Sequence, residues 1–383
     1  MNNFTFSNPV KIIFGKGSIS KISSEIAEKE RILLVYGGGS IVKNKVYDQV
    51  LAALKGRTVV EFSGIGANPE YETCLKAIEL VHKEKLTFIL AVGGGSVIDA
   101  AKFIALASQG EGDLWEIISK VKHPKTALPI GTVLTLPATG TEMNDRSVLT
   151  KIETKDKSAF RTPLVYPQFS VLDPEVTYTL PSKQIANGVV DTFVHTTEQY
   201  LTYPVGAAIQ DYFAESILKV LVQNGERALK SPEDYEIRAN LMWASTWALN
   251  GWIAQGVPED WGTHIIGHEL TAFYGIDHAR TLAIILPGLL DVLREEKGEK
   301  LIQMGERVFG IASGSSEQRI QRSIDAIDEF FKSMGIGTHL SDYGLGKEAI
   351  EKVVSRYRER GWIVGERKSI TAEVVEQILT KRL

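Results

Sequence analysis

The chain has 383 residues, 44% hydrophobic and 23% charged, with 43 Lys and Arg against 47 Asp and Glu for a net charge of -4. That length exceeds one ordinary core and predicts two domains of roughly 180 to 200 residues each. No basic surplus exists to neutralise a phosphate backbone, so nucleic acid is not an expected partner. The single cysteine, Cys74, cannot form an intramolecular disulfide and fits a reducing compartment. No run is apolar enough to span a bilayer, and the start MNNFTFSNPVKIIF lacks the pattern of a signal peptide. A cytoplasmic protein with no membrane partner is expected.

Residues 1 to 20 predict two short strands, FTFS and VKIIFG, followed by an amphipathic segment, ISKISSEIAEKE. The unbroken apolar run Ile32 to Tyr36 then ends in Gly37, Gly38, Gly39 and Ser40, the pattern of a buried parallel strand entering a tight turn. A helix (VYDQVLAAL), a strand (TVVEFSGI), the GANPE loop carrying Asn68, and a helix Tyr71–Glu84 come next. The strand FILAVGGGS is again apolar and again ends in GGGS. Strands alternating with helices imply a parallel sheet covered on both faces.

The second glycine triplet opens a helix expected to begin near Val97. A helix N-terminus preceded by Gly94, Gly95 and Ser96 offers free N–H groups and a positive dipole end, an anion site suited to a pyrophosphate. Missing Cβ atoms would let the backbone approach phosphate oxygens closely. A tight turn with no ligand is the alternative, since this is not the GxGxxG fingerprint. After the next apolar run come Thr135, Thr139, Gly140, Thr141 and Ser147, small or hydroxylated residues at a strand end. They suit hydrogen bonds to a nicotinamide ribose or phosphate, and equally a structural turn. Lys157, in an expected hairpin, either reaches a ribose or phosphate or is solvated.

Strand signals largely stop beyond Pro181, which places the domain boundary near Leu180: an α/β domain over 1–180 and a helical one over 181–383. Within the helical half, NGVVDTFVHTTEQY has no Gly or Pro from Val189 to Thr202. A spacing of four there puts Asp191 and His195 on one helical face. His264 and His278 follow in THIIGHELTAFYGIDHAR. One carboxylate and three imidazoles suit a divalent metal such as Fe(II) or Zn(II), while a surface pair and core histidines are the plainer reading. The charge run Arg294–Lys300 is expected to be a solvated helix end.

Three features coincide: AVGGGSVIDAAK, with Asp99 and Lys102 in register, the LPATGTE loop, and Asp-x3-His followed by His-x3-His-x9-His. Together they resemble the iron-containing (group III, metal-dependent) alcohol dehydrogenase family from the N-terminus to about Gly310. The wording TLPATGTEMN, ANGVVDTFVHTTEQY and IIGHELTAFYGIDHARTLAI is similar to its butanol dehydrogenase and NADPH-dependent aldehyde reductase branch. Many family members carry His-Gly at the last ligand, and here it is His278-Ala279. The resemblance implies a Rossmann-like dinucleotide-binding domain, an all-α metal-binding domain, the architecture of dehydroquinate synthase, and a cleft between them. It implies Asp191, His195, His264 and His278 as metal ligands. Gly94, Gly95 and Ser96 match its pyrophosphate turn, and Thr135, Thr141, Lys157, Tyr178 and Leu180 match positions near the cofactor. His268 is not a family ligand and is expected beside substrate or nicotinamide as a proton relay, or else packed. The aromatics Trp252, Trp261, Phe273 and Tyr274 would line an aldehyde pocket or form core.

An NAD site usually sets a carboxylate where it would repel a 2′-phosphate. No acid follows the first glycine triplet until Asp48, and Ser40 and Lys43 favour a phosphate, so NADP(H) is expected over NAD(H). The expected reaction is hydride transfer between NADP(H) and a primary alcohol or aldehyde such as butanol or butanal. The expected assembly is a homodimer joined at the N-terminal strands. A lyase of the dehydroquinate synthase kind would need a basic cluster for a phosphate or phosphonate, and only Arg280 stands near the histidines. A non-catalytic relative would be expected to lose a ligand or the glycine turn.

Overall fold

The apolar runs that end in glycine are the central strands of a six-stranded, all-parallel sheet. The structure, a computed structural model, describes residues 1–154 and 156–383. Its strands are β1 (Lys11–Phe14), β2 (Arg31–Tyr36), β3 (Thr58–Phe62), β4 (Phe88–Gly94), β5 (Ile130–Leu136) and β8 (Phe169–Leu172), ordered β1-β8-β5-β4-β2-β3. A separate antiparallel hairpin joins β6 (Arg146–Lys151) to β7 (Asp156–Arg161). Phe88 to Val92 are fully buried because both faces of the sheet are covered.

The two-residue strand period divides the core. Leu33, Val35, Ile89, Ala91 and Leu134 pack under α4 (Tyr71–Glu84) and α5 (Gly95–Ala107). Ile32, Leu34, Leu90, Val92 and Val133 pack instead against Ile19 and Ile22, and against Val46 and Val50 of α3 (Val46–Ala53). Three short helices complete this part: α1 (Ile22–Glu25), α2 (Ser40–Lys43) and α6 (Glu116–Ser119).

The chain groups into two compact units. One comprises Ser7–Leu180 and Pro232–Thr246, the other Met1–Phe6, Pro181–Ser231 and Trp247–Leu383. A single boundary near Leu180 leaves no room for the two excursions. Pro232–Thr246, expected among the C-terminal helices, holds most of α9 (Tyr235–Ala248), which serves the sheet unit. Met242 joins the core on the α4–α5 side, Trp243 meets the Phe14 ring at 5.7 Å, and the Thr246 hydroxyl donates to Glu142 Oε1 at 2.6 Å.

The second unit is helical: α7 (Ser182–Tyr200), α8 (Ala208–Lys230), α10 (Gly262–Tyr274), α11 (His278–Val292), α12 (Arg294–Phe309), α13 (Ser316–Ser333), α14 (Lys347–Arg360) and α15 (Ala372–Thr380). No helix among the described residues is long and apolar enough to cross a membrane.

One local expectation fails. FTFS forms no strand: Asn2 donates its amide to the Gly256 carbonyl and Phe6 packs edge-on to Trp252 at 5.2 Å. Apolar alternation needs a neighbouring ladder, and this segment has none. The amphipathic segment from Ser18 forms one 3-10 turn and α1, where Arg57 takes the Ser23 and Ala27 carbonyls at 2.7 Å each. A second expectation fails more instructively. Lys297 and Lys300, in the supposedly solvated charge run, are buried on α12 and ion-paired.

Candidate metal centre and dinucleotide turns

Helix α7 carries Asp191 and His195 one turn apart, and both side chains are 6% exposed. Helix α10 contributes His264, and His278 is the first residue of α11. Donor atoms of Asp191, His195 and His264 all lie within 4.8 Å of one another. Asp191 Oδ1 stands 3.8 Å from His195 Nδ1 and 3.7 Å from His278 Nε2. Metal–ligand bonds of roughly 2.0–2.1 Å put two donors on one tetrahedral ion about 3.3 Å apart. Asp191, His195 and His264 therefore group closely enough to hold a single divalent ion, and His278 stands beside Asp191. His278 is the most accessible of them, at 24%, so the cluster opens on its side.

His268 lies one turn beyond His264, its ring 5.1 Å from that of His278 and 6.3 Å from that of His264. Among the four aromatics, Trp261 meets the histidines, 5.3 Å from the His264 ring and 6.2 Å from that of His195. Trp252 instead packs on Phe6 and Phe213. Phe273 and Tyr274 face the cations of α14, with Arg356 3.9 Å from the Phe273 ring and Lys352 5.2 Å from that of Tyr274. A pocket role for those three finds no support in these contacts.

Sequence reasoning missed the layer beneath the candidate ligands. Glu198 is 3% exposed, accepts the Thr263 amide at 2.6 Å, and contacts His264 Nδ1 through its other oxygen. Its spacing was available: Asp191, His195 and Glu198 follow i, i+4, i+7 on one face. Beside it, Asp260 accepts the Gly262 amide at 2.7 Å and Lys297 Nζ at 2.8 Å. These two carboxylates satisfy first-turn N–H groups of α10, which Trp261 enters with φ 60. Burial works to lower the Lys297 ammonium, yet Asp260 and Glu366 outweigh it and hold it above its usual value. Burial, and then the Asp260 charge, push the Glu198 carboxyl up.

At the carboxyl ends of the strands, where open α/β sheets bind ligands, lie the glycine turns. Gly94 caps the N-terminus of α5, two residues earlier than expected. The glycines answer first to packing. A Cβ on Gly93 would stand 2.5 Å from Val97 Cγ2, and one on Gly95 would stand 2.4 Å from Thr139 Oγ1. Gly95→Ala should therefore destabilise by about 1–3 kcal/mol. A Gly38→Ala control, with open space around its Cβ, should cost far less. Comparing their denaturant midpoints checks this, and equal losses would count against it.

Several expected cofactor contacts have partners within the protein. The Ser96 hydroxyl donates to the Ala67 carbonyl at 2.5 Å, and Lys157 reaches Asn68 Oδ1 at 3.2 Å. Asp99 accepts from the Thr141 hydroxyl at 2.6 Å and the Val148 amide at 3.1 Å. Ser147 donates to the Asp99 carbonyl at 2.9 Å. Lys102, fully buried, gives its ammonium to Thr141 Oγ1, to both oxygens of Asn144 and to the Arg146 carbonyl, all within 2.9 Å. Burial pulls its pKa down to about 8. Thr135 is buried at the end of β5, and the Thr139 hydroxyl is a buried polar atom facing Gly95 with no hydrogen bond among the described residues.

After β2, Gly39 takes φ +95, which a side chain would strain, and Ser40 starts α2. Gly37 is joined to the turn after β3 through the Gly64 amide. Glu61, an acid the sequence reading overlooked here, accepts the Tyr36 and Tyr47 hydroxyls at 2.8 Å each. Tyr178 and Leu180 follow Thr177, which the buried Arg238 holds through its hydroxyl at 2.8 Å and its carbonyl at 2.5 Å.

Known proteins share this whole chain. Residues 9–174 match the model for iron-containing alcohol dehydrogenase, and residues 185–383 match the C-terminal model of the Fe-containing alcohol dehydrogenase family. The NADPH-dependent aldehyde reductase YqhD of Escherichia coli (strain K12) is 52% identical over 382 residues, 99% of each chain. NADH-dependent butanol dehydrogenase A of Clostridium acetobutylicum is 39% identical over the full length of both. The crystal structure of the Escherichia coli protein superposes with a TM-score of 0.98 at 51% identity, covering 100% of this chain and 99% of the other. NADH-dependent butanol dehydrogenase A of Thermotoga maritima gives 0.95 at 38% identity, with 100% and 99% covered. This chain belongs to the iron-containing alcohol dehydrogenase family and is an oxidoreductase.

Proposed function

We propose that the chain transfers a hydride between NADP(H) and a primary alcohol or aldehyde, of the size of butanol or butanal, using one Fe(II) or Zn(II). The convergence of Asp191, His195, His264 and His278 carries this reading. When bound, the metal supplies Lewis acidity toward the substrate oxygen and the dinucleotide supplies the hydride. The protein's part is to hold and orient. Asp191, His195, His264 and His278 would fix the metal, and the more accessible side at His278 would admit a small substrate. His268, on the same side, is placed to hold the proton that the alkoxide finally needs. The first-turn amides of α5, with the Thr139 hydroxyl, suit a pyrophosphate, and Asn68 with Lys157 suits a ribose or phosphate. Thr135, Thr141, Tyr178 and Leu180 shape the surrounding wall, while Asp99 and Ser147 brace it.

Support for NADP(H) over NAD(H) comes from Ser40 and Lys43 after a glycine turn with no acid of its own, and from Glu61 being held by two tyrosines. The 52%-identical relative is an NADPH-dependent aldehyde reductase, while the 39%-identical butanol dehydrogenase is NADH-dependent. With butanal, kcat/KM should be at least ten-fold higher for NADPH, a margin of about 1.4 kcal/mol. Equal or better efficiency with NADH would reject the preference. A homodimer through β1 is consistent with its place at a sheet edge. The buried, lone Cys74 suits a reducing compartment such as the cytoplasm.

A further inference from the structure

We infer that Glu198 is the positioning carboxylate that commits His264 to bind the metal through Nε2, a role that rests on the metal reading above. Metal-bound histidines generally donate their other ring N–H to a carboxylate or carbonyl, which fixes both tautomer and ring orientation. Glu198 is built for that task. It sits one turn beyond His195 on the ligand-bearing helix, so one helix supplies two ligands and the support for a third. Oε2 faces His264 Nδ1, and Oε1 accepts the Thr263 amide at 2.6 Å. The amide can only donate, so Oε1 must accept, which leaves Oε2 to face the ring nitrogen, where an ionised Glu198 accepts the Nδ1 proton.

The support is itself anchored. The Asp260 amide donates to the Glu198 carbonyl at 2.9 Å. Lys297 ties the Asp260 carboxylate at 2.8 Å to the Leu201 carbonyl at 2.8 Å and to Glu366 at 3.0 Å. Helices α7, α10 and α12 therefore meet beneath the histidine through buried polar contacts, and the ring has little freedom to turn.

This arrangement makes Glu198→Gln informative because it changes no volume. Its amide oxygen must take the Thr263 N–H, since the opposite orientation sets two donors face to face. The amide NH2 then donates to His264 Nδ1, the ring proton moves to Nε2, and the metal-facing lone pair is lost. Zinc affinity, read by competition with a chromophoric chelator, should fall 10- to 100-fold. The metal-free variant should melt close to metal-free wild type, which a purely structural role would not allow. Wild-type zinc affinity in Glu198→Gln would overturn the role of Glu198 alone. Failure of the wild type to take up zinc would overturn the metal reading and this role with it. A second measurement needs no variant. Nitrogen-15 NMR of zinc-loaded wild type should find His264 protonated at Nδ1 and metal-bound at Nε2, and metal at Nδ1 would reject the assignment.

Discussion

His264→Ala is expected to leave the fold standing while the protein loses its metal and at least about 10²–10³ in kcat. The magnitude follows from removing electrostatic stabilisation of charge that develops on the substrate oxygen. His264 is buried and its ring lies 4.5 Å from that of His195, so its deletion opens a gap in the middle of the donor set. Asp191, His195 and His278 remain, and three donors bind a divalent ion far less tightly than four. The fold should tolerate the change because α10 keeps its first-turn bonds to Glu198 and Asp260, which use the Thr263 and Gly262 backbone. Elemental analysis beside circular dichroism checks both halves. Full metal content in the variant would remove His264 from the ligand set.

Lys102→Met should be the most damaging single change in the sheet unit, at about 3–5 kcal/mol. The methionine fills the space, but the oxygens of Thr141, Asn144 and Arg146 lose their shared donor. Asp99, half-buried, is then left beside a neutral side chain, and Lys102 is the leading influence opposing the desolvation that already pushes its carboxyl up. Because Lys102 ties α5 to residues 141–146, NADPH binding should weaken together with stability. A large drop in denaturant midpoint and a raised Kd for NADPH are the expected results. A variant as stable as wild type would mean the network is solvated in solution.

Much of this was legible because short-range patterns carried it. Tyr71–Glu84, a periodic stretch closed by polar residues, is helical over that same span. The four-residue spacing of Asp191 and His195 on an uninterrupted helix was enough to place them on one face. Tertiary effects were harder to see. The charges of REEKGEK gave no hint that Lys297 would be buried, because its partners Asp260 and Glu366 come from distant segments. Glu198 looked like one more polar residue until the Thr263 amide and the His264 ring supplied its purpose. Helix α9 follows Pro232 in a run of helices, yet Met242 and Thr246 bind it to the sheet unit. The glycine triplet also answers to packing that its sequence did not show, since a Cβ on Gly93 or Gly95 would meet Val97 or Thr139.

Oxidation of NADPH by butanal, followed in chelator-treated protein before and after addition of Fe(II) or Zn(II), tests the central claim most directly. Negligible turnover is expected without metal, and its return when one divalent ion per chain is restored. Full turnover in the metal-free protein, or none with either ion, would contradict it.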